Sequence, residues 1–392
     1  MKVLLVWELG GQLGHFGTLL PIADALAADG HEVVFALRDL SHAHALIGER
    51  YAYFQAPLRF DAQHATRRYD SFADILLHAG FDHPDTLGGL VSAWRALYAQ
   101  LQPDWVMYDH APVALFAARG LPFKQTCVST GFSIPPGGKA FPRFRHWQPD
   151  TESDQAHRRH SHQLPMAHGN LVAQRLGMPA LEYLPEIFGQ AAQKLTTFPP
   201  LDHYPSRMAG EYIGPIGGLG QGQPFEKAGD ERWIFCYLWA RHRGSLALLR
   251  ALAGIPDFKT LAVVPDLPKH LPAPQQHQNL TITRQPIDLN TLSRWPELIV
   301  CHAGHGTLAL ASSLGVPSAN SPVTLEQTML AKRIEAADAG ITLPIGATPN
   351  DAARQIADAV SQQTGRAGAR RIQAAHQASV LKAPADLLAA LL

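Results

Sequence analysis

Residues 298–322 read LIVCHAGHGTLALASSLGVPSANSP. The apolar run Leu298–Cys301 has the composition of a buried strand; a glycine-bearing loop follows, and a helical pattern starts near Gly306. A strand–loop–helix turn of this kind belongs to a parallel α/β sheet. The first N–H groups of the helix have no partners within it, and the helix dipole favours negative charge at that end. Gly304 and Gly306 carry no side chain to hold a phosphate away, while Thr307 adds a hydroxyl and His302 an imidazole donor. The segment therefore predicts a diphosphate cradle. Glycines alone would suit any short turn; His302 and Thr307 beside them point to a ligand.

The surrounding sequence repeats the α/β pattern. RWIFCYLWA, KTLAVV, NLTIT and ELIVC read as strands, SLALLRALAG and EQTMLAKRIEAADAG as helices, and VPSANSP as a strand-like run. An earlier series begins at KVLLVW, runs through a glycine loop into the helical TLLPIADALAAD, which stops at Gly30, and continues into HEVVFAL. DWVMYDHAP gives a further strand ending at Asp109, and GLPFKQTCVSTGF another. Between the two series, YIGPIGGLGQGQPFEKAGDE is rich in glycine and proline and reads as a linker. The expected organisation is a first Rossmann-like domain over 1–215, a linker over 216–231, a second over 232–375, and a helical tail over 376–392 able to pack back on the first. With 392 residues the chain is long enough for two such domains.

Composition narrows the class. Lysine plus arginine and aspartate plus glutamate are equal at 33 each, so no bulk charge points to nucleic acid or an acidic membrane. Cys127, Cys236 and Cys301 are far apart and form no CxxC pair, which predicts reduced structural thiols and a cytoplasmic protein. MKVLLVWE is too short an apolar run for a signal peptide, and the uncharged run 298–325 is broken by glycine, proline, serine and histidine. The expectation is a soluble protein without a transmembrane segment, which leaves room for peripheral membrane contact. His157, His160, His162 and His168 cluster in a polar stretch, read as loop and surface helix rather than as a metal site. Phe72, Leu76, Leu77, Trp94 and Phe132 could line a pocket or could equally be core.

The first glycine loop, GGQLGHFGTLL from Gly10, poses a choice between a dinucleotide cradle and a device that presents His15. Gly11, Gly14 and Gly17 are spaced three and three, whereas the dinucleotide fingerprint is G-x-G-x-x-G. Asp39 is only a weak candidate for the acidic ribose ligand. A dehydrogenase is a poor second reading.

Residues 301–340, CHAGHGTLALASSLGVPSANSPVTLEQTMLAKRIEAADAG, resemble the donor-binding signature of the UDP-glycosyltransferase-like family. The matching positions are His302, Gly304, Gly306, Thr307, Gly315, Val316, Pro317, Pro322, Glu326 and Gln327. FPPLDHYPSRMAGEYIGPI, residues 198–216, also resembles the family's interdomain passage. The resemblance implies a GT-B fold, an α/β architecture of two tandem Rossmann-like doubly wound domains facing each other across a cleft. It implies donor contacts from His302, Gly304, Gly306, Thr307, Glu326 and Gln327, with no metal and no cofactor besides the nucleotide-sugar substrate. LGHFGTLLP matches the family's G-H motif, so the resemblance makes His15 the base that takes the acceptor's proton, with Asp109 holding its imidazole. An imidazole suits that role near neutral pH.

The implied function is an inverting glycosyltransferase moving a hexose from a UDP- or dTDP-sugar to a hydroxyl of a small-molecule or lipid acceptor. The alternatives are a catalytically weak nucleotide-sugar-binding protein and a GT-B-fold epimerase or hydrolase of nucleotide sugars. Three positions depart from the family pattern. Leu310 stands where an acidic residue meets the ribose, Arg284 where a tryptophan stacks on the base, and Leu330 where an asparagine often follows. The missing carboxylate at Leu310 predicts a relative preference for the 2′-deoxyribose of dTDP-sugars.

Overall fold

The computed structural model describes the chain except residues 12–13, 60–67, 217–221, 226–229, 256, 271–274, 278, 289–290, 293–294, 345 and 377–383. Much of the expected linker, and the start of the expected tail, therefore lie outside the described residues. By its internal contacts the chain forms two compact units. One comprises Met1–Thr197, Tyr204–Ile216 and Leu381–Leu392, and the other Phe198–His203 and Gly217–Val380.

The first unit is built on seven strands: β1 (Lys2–Trp7), β2 (Glu32–Leu37), β3 (Ala52–Gln55), β4 (Trp105–Asp109), β5 (Lys124–Ser129), β6 (Ala192–Leu195) and β7 (Glu211–Tyr212). Their order is β3-β2-β1-β4-β5-β6-β7 and every pair is parallel. β1 and β4 are apolar almost throughout and buried on both faces, as expected of central strands covered by helices on each side. Helix Gly14–Ala28 covers one face through Phe16, Leu19, Ile22, Ala23 and Leu26, and it stops just before Gly30, whose φ of 81° suits glycine. The last helix, Pro384–Leu391, adds Leu387 and Leu391 to that same core.

The second unit holds β8 (Trp233–Tyr237), β9 (Lys259–Val263), β10 (Gln275–His277), β11 (Leu280–Thr283), β12 (Pro296–Cys301), β13 (Ser318–Asn320) and β14 (Gly340–Thr342). They are ordered β10-β11-β9-β8-β12-β13-β14, parallel except for the β10–β11 pair. In each sheet the strand order reverses between two neighbours, β1 and β4 in one and β8 and β12 in the other. The carboxyl ends of such a strand pair form the crevice where open α/β sheets take ligands.

The polar stretch before residue 175 is mostly one long helix, Glu152–Arg175, started by a capping box at Thr151 and Asp154. Two of its histidines serve the backbone. His162 Nε2 accepts from the Phe141 N–H at 2.9 Å while its Nδ1 donates to the Arg158 carbonyl, and His168 Nδ1 donates to the Phe81 carbonyl at 2.8 Å. His157 lies 2.9 Å from the buried Asp74 carboxylate.

Candidate active site

In the first unit the switch point brings together the ends of β1, β4 and β5. β1 pairs with β4 so that Trp7 faces Asp109 across the ladder, and His15 lies in the first turn of the helix that follows β1. His15 Nδ1 is 2.7 Å from Asp109 Oδ2. A carboxylate can only accept, so Nδ1 carries the proton, which is the tautomer a general base needs. Ser129, the last residue of β5, donates its hydroxyl to the other Asp109 oxygen at 2.5 Å. Asp109 is 3% exposed at its side chain and His15 17%, which puts the carboxylate inside and the imidazole nearer the surface. Trp7 stacks on the His15 ring at 4.8 Å and so fixes the plane of the imidazole.

Gly10 explains much of the glycine loop. Its φ is 85°, and a Cβ built on it would lie 2.5 Å from His15 Nε2. The His15 ring packs against this residue, and only glycine, without a side chain, fits there. Gly11, Gly14 and Gly17 have nothing within 4 Å of a built Cβ, so none of them is required by a close protein contact.

Behind this site Glu8, 2% exposed, accepts from the backbone N–H groups of Val113 and Ala114 at 3.0 and 3.2 Å. These are the first amides of the helix that follows Asp109. Burial pushes the Glu8 carboxyl up to about 8, against the lowering effect of those two amides. Of the apolar residues whose role the sequence left open, Phe72, Leu76 and Trp94 are fully buried, while Leu77 and Phe132 are 9% exposed. The first three are core.

In the second unit the loops after β8 and β12 lie side by side, with Tyr237 facing Cys301 across the ladder. Helix His305–Leu314 starts at Gly304 and helix Ser245–Ala253 at Gly244; neither has a side-chain cap or an acidic residue in its first turn. A Cβ at Gly244, Gly304 or Gly306 would meet nothing within 4 Å, so the space over each is open. The loop between β8 and its helix carries Arg241, His242 and Arg243. It is pinned by Asp266, whose two oxygens accept from the Ala240 and Arg241 N–H groups at 2.6 and 3.1 Å. Arg241 lies over the Trp239 ring at 4.0 Å. Two helix N-termini that start at glycine, with Arg241 beside them, favour an anion at this edge, against the one carboxylate of Asp266.

His302 is placed beside this edge but is occupied differently from the sequence expectation. Its Nδ1 donates to the Ser321 carbonyl at 2.9 Å, and its Nε2 accepts from the Trp239 N–H at 3.2 Å. Burial, first of all, lowers its pKa, so the ring is neutral. Both nitrogens are used to tie the loop after β8 to the end of β13, and His302 is a positioning residue rather than a free donor. Burial also pushes His305, in the first helical turn, down to about 4, with Asp202 opposing.

Glu326 and Gln327 begin helix Leu325–Ala336 after β13. Gln327 Oε1 accepts from Val323 and Thr324 N–H in a capping box, so its carbonyl oxygen serves the helix start. Glu326 is 43% exposed and lies 3.8 Å from the buried His203.

Two expectations about the nucleoside need correction. Leu310 is 4% exposed and packs with Trp233, Phe235, Ile299 and Trp295 in the core, so it does not stand in a ribose site. Arg284 donates to the carbonyls of Leu267 and Pro268 at 3.0 and 2.5 Å, which makes it a brace for the chain after β9 rather than a surface for a base. Leu330, likewise, is fully buried.

Sequence reasoning missed Ser129, Gly10 and the loop Trp239–Gly244. A serine at the carboxyl end of the strand beside β4 was a usable signal. The arginine pair directly before the Gly-Ser that opens a helix was another.

No family model and no curated protein matches this sequence. Among solved structures the chain is similar to the spinosyn rhamnosyltransferase SpnG complexed with spinosyn aglycone, at 19% identity over 100% of both chains and a TM-score of 0.68. It is similar to the glycosyltransferase VinC in complex with dTDP, at 17% identity, 97% of this chain and 96% of the other, and a TM-score of 0.69. A Streptomyces sp. SF2575 glycosyltransferase, SsfS6, is 20% identical over 100% and 99% of the two chains, with a TM-score of 0.62. At these identities the likeness is one of fold. The chain has the GT-B fold, with two doubly wound α/β units. Among the described residues no helix is long and apolar enough to cross a membrane.

Proposed function

We propose that this protein is an inverting glycosyltransferase, with His15 as the base and the second unit as the holder of a nucleotide-sugar donor. The observation that carries the reading is the Ser129–Asp109–His15 chain, which holds the His15 ring in its Nδ1-protonated form against Gly10 at a sheet's switch point. The acceptor's hydroxyl oxygen attacks the anomeric carbon of the sugar as the bond from that carbon to the diphosphate oxygen breaks. The hydroxyl proton passes to His15 Nε2, and Asp109 stabilises the imidazolium that results. A single displacement of this kind inverts the anomeric centre.

Negative charge grows on the departing diphosphate. In this reading it is met by the amides at the starts of helices His305–Leu314 and Ser245–Ala253, by the Thr307 hydroxyl, and by Arg241 and Arg243. Those groups supply the compensation that a metal ion provides in other transferases. In this reading the Gln327 amide and Glu326 meet sugar hydroxyls. Neighbours of the same fold support the donor class, since SpnG is known with thymidine diphosphate and VinC with dTDP. The donor is a UDP- or dTDP-hexose, and the acceptor a hydroxyl of an aglycone-like small molecule or a lipid. A nucleotide-sugar substrate and three buried free cysteines fit a cytoplasmic setting.

The test is a donor screen by thermal shift with UDP-, dTDP- and GDP-sugars, followed by product analysis with the donor that stabilises best. A bound donor raises the melting temperature by mass action. A product whose anomeric configuration is retained relative to the donor refutes single displacement.

A further inference from the structure

His110 follows Asp109 and has no part in the proton transfer described above. Its backbone is left-handed, with φ at 50°, a conformation that is uncommon for a residue with a side chain. Its N–terminal neighbour fixes the base, and its own carbonyl accepts from the Leu9 N–H at 2.9 Å, tying the ends of β1 and β4. The ring packs among Phe72 and Phe132, with centroids 6.1 and 6.0 Å away. Its buried Nε2 has no hydrogen-bond partner among the described residues. Burial pushes the ring's pKa down to about 3, so it is a neutral imidazole at working pH.

The opposite nitrogen looks elsewhere. A Cβ built on Gly10 would lie 2.5 Å from His15 Nε2 and 3.4 Å from His110 Nδ1. Two imidazole nitrogens, one from the helix after β1 and one from the residue after β4, thus converge on the side-chain-free face of Gly10. In this inference the buried Nε2 carries the ring's proton, which leaves the lone pair on Nδ1.

We infer that His110 Nδ1 is a second acceptor-contact group, and that the enzyme selects sugar acceptors carrying a second hydroxyl or N–H beside the hydroxyl that reacts. The reacting O–H points at His15 Nε2, and the neighbouring donor points at His110 Nδ1. The inference rests on the transferase reading, and it deepens that reading by naming the acceptor class. A ligand with only one donor leaves Nδ1 unpaired when it closes the space, and loses one hydrogen bond in the transition state.

The experiment compares vicinal-diol acceptors (a catechol, a flavonol and a polyketide diol) with their ethers methylated on the neighbouring oxygen, using UDP- and dTDP-glucose. Wild type should prefer each diol by about tenfold in kcat/KM, the scale of one hydrogen bond. His110→Phe keeps an aromatic ring against Phe72 and Phe132 and should bring that ratio to about one, while the donor KM and the pH profile set by His15 stay as they are. His110→Asn tolerates the left-handed backbone and places an oxygen near the Nδ1 position, so it should restore most of the preference. An active wild type without preference overturns the inference alone, as does a His110→Phe variant that keeps the wild-type ratio. A wild type that consumes no donor with any acceptor overturns the transferase reading and this inference with it.

Discussion

Glu8→Gln should make the protein more stable at alkaline pH and leave it nearly unchanged at acid pH. The folded protein holds the Glu8 carboxyl at about 8, against an ordinary value of 4.5, chiefly through burial. A folded-state pKa above the unfolded one gives stability that is fully present below the unfolded value and lost as pH rises through the folded one. At about 1.36 kcal/mol per unit, the loss between pH 5 and pH 8 comes to about 3.5 kcal/mol. Glutamine keeps the oxygen that accepts from Val113 and Ala114 and has nothing to titrate. The buried His110 and His305, with pKa values near 3 and 4, act in the opposite direction. Their contribution is present above the unfolded histidine value and is lost as pH falls, and it is common to both proteins. The quantity to follow is therefore the difference between variant and wild type in urea melts at pH 5, 6.5 and 8. That difference should widen with pH by roughly 1 kcal/mol per unit. A difference constant to within about 0.5 kcal/mol would show that Glu8 is ionised in the fold and that its burial is offset by its partners.

Other variants address the two sites. His15→Ala should lower turnover by about a hundredfold or more with donor affinity unchanged, and Asp109→Asn should also lower it, less severely, in steady-state assays. Gly10→Ala places a Cβ against His15 Nε2 in a left-handed backbone, so turnover should fall together with about 1–2 kcal/mol of stability, measured by assay and denaturant melt. Gly306→Val should block the diphosphate, and calorimetry with a nucleoside diphosphate should show its affinity much reduced; unchanged affinity would place the phosphates elsewhere. Leu310→Ala should behave as a core truncation, losing about 2–5 kcal/mol of stability while competition between UDP and dTDP is unmoved.

The sheet centres were legible in the sequence because a central parallel strand must be apolar on both faces, which makes KVLLVW and ELIVC stand out as runs. β3, β7 and β10 were not, since strands of two to four residues at or near a sheet edge are too short to show a period. The pairing of His15 with Asp109 came from the resemblance, and parallel topology accounts for the contact: His15 follows β1, Asp109 ends β4, and both come to the same edge. Ser129 and the arginine loop meet that condition too, but a serine or an arginine after a strand is ordinary until the strand order makes it a neighbour of something. His302 shows the limit more sharply. Its residue type and spacing suggested a phosphate donor, yet what an imidazole does depends on which groups reach its two nitrogens. Here both are backbone groups, Ser321 from the β13 side and Trp239 from the β8 side, neither adjacent to it in the chain. The same dependence makes His302→Ala informative. It leaves a carbonyl and an N–H without partners and frees the loop that carries Arg241 and Arg243. Stability should therefore fall by about 1–3 kcal/mol for each group left buried and unpaired. Donor affinity should weaken as well, because the arginines are no longer held in place. Loss of donor affinity with stability intact would instead mean that the ring turns to meet the phosphate itself.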